Sequence, residues 1–230
     1  MFFKTHRDRV YKFAKLRNFI HLYFIKSLSS KKSMKFDFSQ PIKLENERVI
    51  LRPLEQNDFT YLLPFSENEK DLWDFSLTPA AGAENLQTYI DTALTAKEKL
   101  QAYPFVVFDK HVHRVAGSTR FYDIQITHNV LSLGYTWYGT EFQRTGLNRN
   151  CKYLLLSYAF DVLGVDRVEF RADLRNVKSI QAMKQIGCTQ EGILRSNCSA
   201  SYGRRDSIVL SILKPEWDQK VKTHLHSKLY

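Results

Sequence analysis

The hydrophobic period changes once between residues 131 and 164, and this change limits the fold more than any other feature. Leu131-Ser132-Leu133-Gly134-Tyr135-Thr136-Trp137-Tyr138 reads as a strand, and Gly139-Thr140-Glu141-Phe142 as a short loop. Leu147, Cys151, Leu154, Leu155, Tyr158, Ala159 and Val162 then fall on one helical face, which Gly164 closes. A strand feeding a helix through a tight loop is a building unit of α/β folds. Gln143-Arg144-Thr145-Gly146-Leu147-Asn148 opens the helix. A helix start carries unpaired N–H groups and the positive end of the dipole, which together hold phosphate. Gly146 lets backbone approach an anion, and Arg144 and Arg149 add charge. No Gly-Lys-Ser/Thr follows, and no G-x-G-x-x-G is present, so neither a Walker loop nor a dinucleotide fingerprint is read here. An ordinary tight turn would share this local pattern.

The remaining chain alternates strands and helices. Residues 49–54 read as a strand ended by Pro53, and Asn57 or Asp58 can cap a helix to about Ser66. A helix from Glu84 to about Leu100 has Leu86, Ile90, Ala93, Leu94 and Lys97 at helical spacing. Residues 105–108 and 115–122 form a hairpin, and residues 167–173 form a further strand. Asn176 can cap a helix that Gly187 stops. Residues 190–195 and 206–213 are strands around a Tyr202-Gly203 turn, and Pro215 suits the first turn of a last helix. Hairpins and helical crossovers both occur. The expected fold is therefore α/β (α+β), with a mixed, largely antiparallel sheet of about seven strands and helices on both faces.

Charge divides the chain into an extension, 1–33, and a single domain, 34–230. The whole carries 34 Lys and Arg against 24 Asp and Glu. Residues 1–33 hold nine basic residues and one Asp, so the body from Met34 is nearly neutral. Specific nucleic-acid binding, which needs a basic footprint on the domain, is not expected. The extension reads as a start-site artefact before Met34, or as a disordered or amphipathic basic tail. No apolar run reaches eighteen residues, so no transmembrane segment is expected. The three cysteines, Cys151, Cys188 and Cys198, have no paired spacing and read as free thiols of a reducing, cytoplasmic compartment. No zinc-type His/Cys pattern is present, and no metal is expected.

The motif at 143–148 resembles the acetyl-CoA-binding signature of the GNAT acetyltransferases, Gln/Arg-x-x-Gly-x-Gly/Ala, with Asn148 in place of the last small residue. Three later stretches resemble further motifs of that superfamily in order. They are Arg167-Val168-Glu169-Phe170-Arg171-Ala172-Asp173, Asn176-Val177-Lys178-Ser179, and the pair 190–195 with 205–210. The closing pair is similar to the RimJ/RimL branch, named for ribosomal-protein alanine acetyltransferases. The resemblance spans about Pro41 to Trp217.

The resemblance implies a splayed sheet with acetyl-CoA lying between the two central strands. Its amides would pair with backbone near Trp137 and Tyr138, and its pyrophosphate would meet Gln143, Arg144, Thr145, Gly146, Leu147 and Asn148. Asn176 and Ser179 would also contact the cofactor. A backbone N–H near Trp137 or Tyr138 would polarise the thioester carbonyl. The amine would attack directly, because no nucleophile elbow or Cys/His pairing is read. Glu169 is the candidate base, with Asp206 and Asp173 behind it, and a solvated or salt-bridged carboxylate is the alternative. Ser179 is the candidate acid at the departing sulfur, because Met183 stands where many family members have Tyr. Cys198 stands where the RimL-like branch has a Glu. Arg120, Tyr122 and Tyr135 are candidates for the acceptor site. The implied acceptor is a protein N-terminal α-amine. The alternatives are a small-molecule amine, such as a polyamine, amino sugar or aminoglycoside, and a non-catalytic acyl-CoA-binding module. The enzyme would act as a monomer or homodimer.

Overall fold

The computed structural model describes residues 34–229. The expectations for residues 1–33 lie outside the described residues. One sheet of eight strands runs in the order β1-β2-β3-β4-β5-β6-β8-β7. The strands are β1 (Leu44–Glu45), β2 (Val49–Pro53), β3 (Ala102–Asp109), β4 (Arg114–Gln125), β5 (Val130–Tyr138), β6 (Arg167–Asp173), β7 (Thr189–Ala200) and β8 (Gly203–Leu213). Seven were expected; the eighth is the two-residue β1, too short to leave a periodic signal. Only β5 and β6 run parallel, because the helix read from the sequence crosses between them.

The helices are α1 (Phe59–Asn68), α2 (Ala83–Glu98), α3 (Leu147–Ser157), α4 (Val177–Gln185) and a C-terminal helix that starts at Lys214–Glu216. They cover both faces of the sheet, as two neighbours on β4 show. Ser118 points toward α2, with its Oγ 3.4 Å from the Tyr89 hydroxyl. Thr119 points the other way, to Thr136, which in turn meets Lys152 of α3. Leu86, Tyr89, Ile90 and Ala93 of α2 are fully buried against the first face. Leu147, Cys151 and Leu155 of α3 are buried against the second.

Two local readings change. The helical spacing puts Val162 on the buried face of α3, but it is 61% exposed, and Leu163 is buried instead. The last turn, Tyr158–Leu163, is a π-helix, whose wider turn shifts the buried face by one residue. Asp58 does not cap α1 with its side chain. Its carboxylate is buried and pairs with Arg52 at 2.5 Å and 2.9 Å. The Asn176 cap forms as read, with Oδ1 accepting from Ser179 N at 3.0 Å.

Candidate active site

The parallel strands β5 and β6 separate. They pair at Val130 with Arg167, Leu131 with Val168 and Ser132 with Glu169, and no further. Beyond that row β5 stays with β4, and β6 stays with β8 as far as Asp173. The facing edges of Leu133–Tyr138 and Phe170–Asp173 thus enclose a gap with backbone groups on both sides. On the β4 side the register slips by one residue. Arg120 pairs with Gly134 and Ser118 with Trp137, so one β4 residue faces two on β5. Tyr135, at φ 50°, takes the turn of this bulge. Such bulges re-aim a side chain.

Directly beyond the end of β5 lies the loop read from the sequence. Gln143 donates from Nε2 to the Tyr138 carbonyl at 3.0 Å, and Thr145 from Oγ1 to the Phe142 carbonyl at 2.8 Å. These bonds fix the loop below α3. Arg144 at φ 61° and Gly146 at φ 88° turn the chain so that its N–H groups converge. Among the described residues, no partner accepts from the N–H groups of Arg144, Thr145, Gly146 or Asn148. The first turn of α3 holds no acidic residue. A Cβ built on Gly146 would meet only the Arg149 guanidinium, at 3.8 Å. The loop is an open cradle of donors with two exposed arginines, Arg144 and Arg149, beside it.

One face of the sheet beside the gap is cationic and aromatic. Tyr122, Ser132 and Glu169 are register partners across β4, β5 and β6, so they share that face. Arg120 lies two residues before Tyr122 on the same face. Its guanidinium is stacked 4.2 Å from the Tyr135 ring centre and 5.3 Å from that of Tyr89. Tyr122 packs edge-on to Tyr135 at 5.1 Å. Burial and, to a lesser extent, Tyr135 push the Tyr122 phenol up to about 12.

Residues 48–189, well over half of the chain, match the Acetyltransferase (GNAT) domain. The chain belongs to this family. It is 26% identical over 182 residues to "Probable N-acetyltransferase YjcK" of Bacillus subtilis, covering 76% of this chain and 99% of that protein. It is 28% identical over 181 residues to "Putative ribosomal N-acetyltransferase YdaF" of the same organism, covering 75% of this chain and 95% of that protein. The crystal structure of a GCN5-related N-acetyltransferase from Brucella melitensis superimposes with a TM-score of 0.79, at 24% identity, over 87% of this chain and 90% of that one. The fold is the GNAT fold, and the chain is an acetyltransferase of that family.

GNAT enzymes draw the acetyl group from acetyl-CoA, and the cradle fits that co-substrate. It offers free N–H donors and positive charge to a pyrophosphate, and the first turn of α3 holds no carboxylate. The motif residues divide by role. Thr145, Gly146, Leu147 and Asn148 build the cradle, with Leu147 buried beneath it. The Gln143 side chain is spent on the Tyr138 carbonyl. The Trp137 indole donates to Tyr89 at 3.3 Å inside the core, and the Tyr138 hydroxyl donates to Asn148 Oδ1 at 3.2 Å. Only the backbone of Trp137 and Tyr138 is therefore left for the gap. Asn148, the departure from the motif, is tied to the end of β5.

The acid–base candidates of this GNAT site lie as follows. Glu169 sits at the last paired row before the gap, with Arg171 at 2.6 Å and Arg167 at 2.8 Å. Arg167 also grips Glu191 and holds that carboxyl down to about 2. Asp206 accepts from Ser196 N at 2.6 Å. Burial opposes ionisation of Asp173, but hydrogen bonds from Arg175 and Tyr202 outweigh it and hold its carboxyl below the usual range. Ser179 stands in the first turn of α4, and its N–H closes the Asn176 cap. Met183 is buried.

Sequence reasoning missed Tyr89, Trp73 and Lys152. Tyr89 is one position before Ile90 on the buried stripe of α2, so helical spacing could have found it. Lys152 is buried on α3 between Cys151 and Tyr153, where its charge suggests a solvated face.

Proposed function

We propose that the protein transfers the acetyl group of acetyl-CoA to a primary amine by direct attack, and that the acceptor is a protein N-terminal α-amine. The observation that carries the transfer is the separation of β5 from β6 beside the donor cradle at Arg144–Asn148. The cradle residues bind and orient the phosphates, and the free β5 edge near Trp137 and Tyr138 offers N–H groups to the thioester oxygen. Glu169 takes the amine proton, directly or through water, from its place at the mouth of the gap. Ser179 meets the departing sulfur. An α-amine loses its proton near 8, against about 10.4 for Lys, and so asks less of the base. The ribosomal name of YdaF supports a protein acceptor. The three free cysteines suit a reducing compartment such as the cytoplasm.

The test is thermal stabilisation of the purified full chain by acetyl-CoA, with pantetheine as control. At a hundredfold excess over Kd, binding to the native state adds about 2.7 kcal/mol. A shift with acetyl-CoA but little with pantetheine supports the cradle, and ribosomal-protein N-terminal peptides then serve in a thiol-release assay. No shift at millimolar acetyl-CoA overturns the reading.

A further inference from the structure

Arg120 is the least explained charge in the molecule. It is 3% exposed, on a central strand, one strand away from the gap. Among the described residues its Nε and Nη2, both buried, have no hydrogen-bond partner. Leaving a buried donor unpaired costs about 1–3 kcal/mol, and more when it is charged. The Tyr135 and Tyr89 rings, centred 4.2 Å and 5.3 Å from the Arg120 Cζ, offset part of that cost but accept no hydrogen bond from these two nitrogens. The edge remains. Nε and Nη2 are the two atoms of one edge, and their N–H bonds run parallel, as a planar two-oxygen acceptor needs. Arg175 shows the same fork filled: its Nε and Nη2 hold the two oxygens of Asp173 at 3.2 Å and 3.3 Å. A second orphan donor, Trp73 Nε1, belongs to a ring 6.3 Å from Tyr89.

We propose that the Arg120 fork binds a carboxylate of the acceptor, so that the enzyme acetylates amines that also carry a carboxylate. The proposal rests on the acetyl-transfer reading above and names the substrate class of that site. The geometry supplies the direction. Arg120 pairs with Gly134 in the second row after β5 has lost β6, and Glu169 lies two rows below on the same face. An acceptor held by its carboxylate at Arg120 would bring its amine toward the gap. The fork is closed to solvent, so binding requires Tyr135, 37% exposed and over the guanidinium at the bulge, to swing aside. Gly134 keeps room here, since a Cβ would lie 2.9 Å from the Tyr122 ring. The carboxylate has two sources: the α-carboxylate of a free amino acid, or an acidic side chain near the start of a peptide.

The test uses the full chain and product analogues, so it does not depend on turnover. Affinities are measured by ligand-observed NMR, with and without free CoA. One pair is N-acetylalanine and N-acetylalaninamide. The other is N-acetyl-alanyl-aspartic acid amidated at its C-terminus, and its asparagine counterpart. The acid of at least one pair should bind tighter than its amide by roughly tenfold to a hundredfold, the range of charged hydrogen bonds. Preference in the first pair points to free amino acids, and in the second to acidic peptides. R120K keeps the charge but loses the fork, and should lose the preference, as should R120M. Equal affinity within both pairs, or a preference that survives in R120K, overturns the proposal. CoA binding is read separately from the thermal midpoint. Its failure would count against acetyl transfer, while the acid–amide comparison would still judge Arg120.

Discussion

Lys152 Nζ lies 2.8 Å from Thr136 Oγ1, its one hydrogen bond among the described residues, although an ammonium has three donors. The pair joins α3 to the bulged stretch of β5, on the face opposite Arg120. Thr136 also meets Thr119 at 2.8 Å, so the chain Thr119–Thr136–Lys152 braces the bulge from behind. Burial lowers the Lys152 ammonium to about 8.

A stability prediction follows from that shift. The unfolded chain holds the Lys152 proton to about 10.5, and the folded chain only to about 8. Between these values the unfolded state binds more protons, so this group makes the fold more stable as pH rises from about 8. Below 8 the whole penalty applies, on the order of 3 kcal/mol. Cys151 works the other way above about 9, because burial raises its thiol to about 12. Lys152→Met should therefore raise the denaturation midpoint at neutral pH, and this gain should shrink from pH 8 upward. Urea titrations of both proteins across that range check it; a gain independent of pH would refute the assignment.

Gly117 sets how close β4 and β5 can lie. A Cβ there would fall 2.1 Å from the Trp137 carbonyl oxygen, a backbone atom that cannot rotate away. Gly117→Ala should push the end of β5 outward and destabilise the fold by about 3 kcal/mol. The same displacement would move the edge that faces the gap. Chemical denaturation measures the first effect, and acetyl-CoA affinity the second.

Much of this arrangement was legible in the sequence. The change of period at residues 131–164 located β5, α3 and the cradle between them, because both elements have one clear buried side. The four motifs in order indicated the splay. The bulge at Tyr135 was not legible, because a one-residue slip is set by the pairing with β4 and leaves no local mark. The same slip stacks Tyr135 on Arg120, so the cationic cluster was foreseen as a list of residues and not as a contact. The ion pairs of Glu169 lie within β6, two residues to either side, where a period of two places them; the further link of Arg167 to Glu191 needed the strand order of the sheet.

The cradle can be tested by separating strain from charge. Gly146 holds φ 88°, which costs an ordinary residue about 1 kcal/mol. Gly146→Ala carries that cost alone, since its Cβ makes only an ordinary contact with the Arg149 guanidinium at 3.8 Å. Gly146→Asp adds a carboxylate where phosphate is expected. The Ala variant should be slightly less stable and bind CoA somewhat more weakly. The Asp variant should lose at least about a further tenfold of affinity, the loss easing with salt. Isothermal titration of both variants decides it, and equal affinities would remove the phosphate from this loop.

Glu169 tests the chemistry. Its two arginine partners make a structural role a real rival to that of base, and the two roles separate in the readout. Glu169→Gln keeps the shape of the side chain and removes the charge. If Glu169 only braces β6, the loss is that of a partly exposed ion pair, roughly 1 kcal/mol of stability, and turnover of the folded enzyme stays. If it accepts the amine proton, kcat should fall by about a hundredfold or more with acetyl-CoA affinity unchanged. The remaining rate should then climb with pH as the free amine becomes more abundant, because no base is left to generate it. A rate profile from about pH 6 to about pH 9 distinguishes the two, since an α-amine titrates inside that interval. Full activity across it would leave Glu169 as a brace and return the search for the base to Asp206.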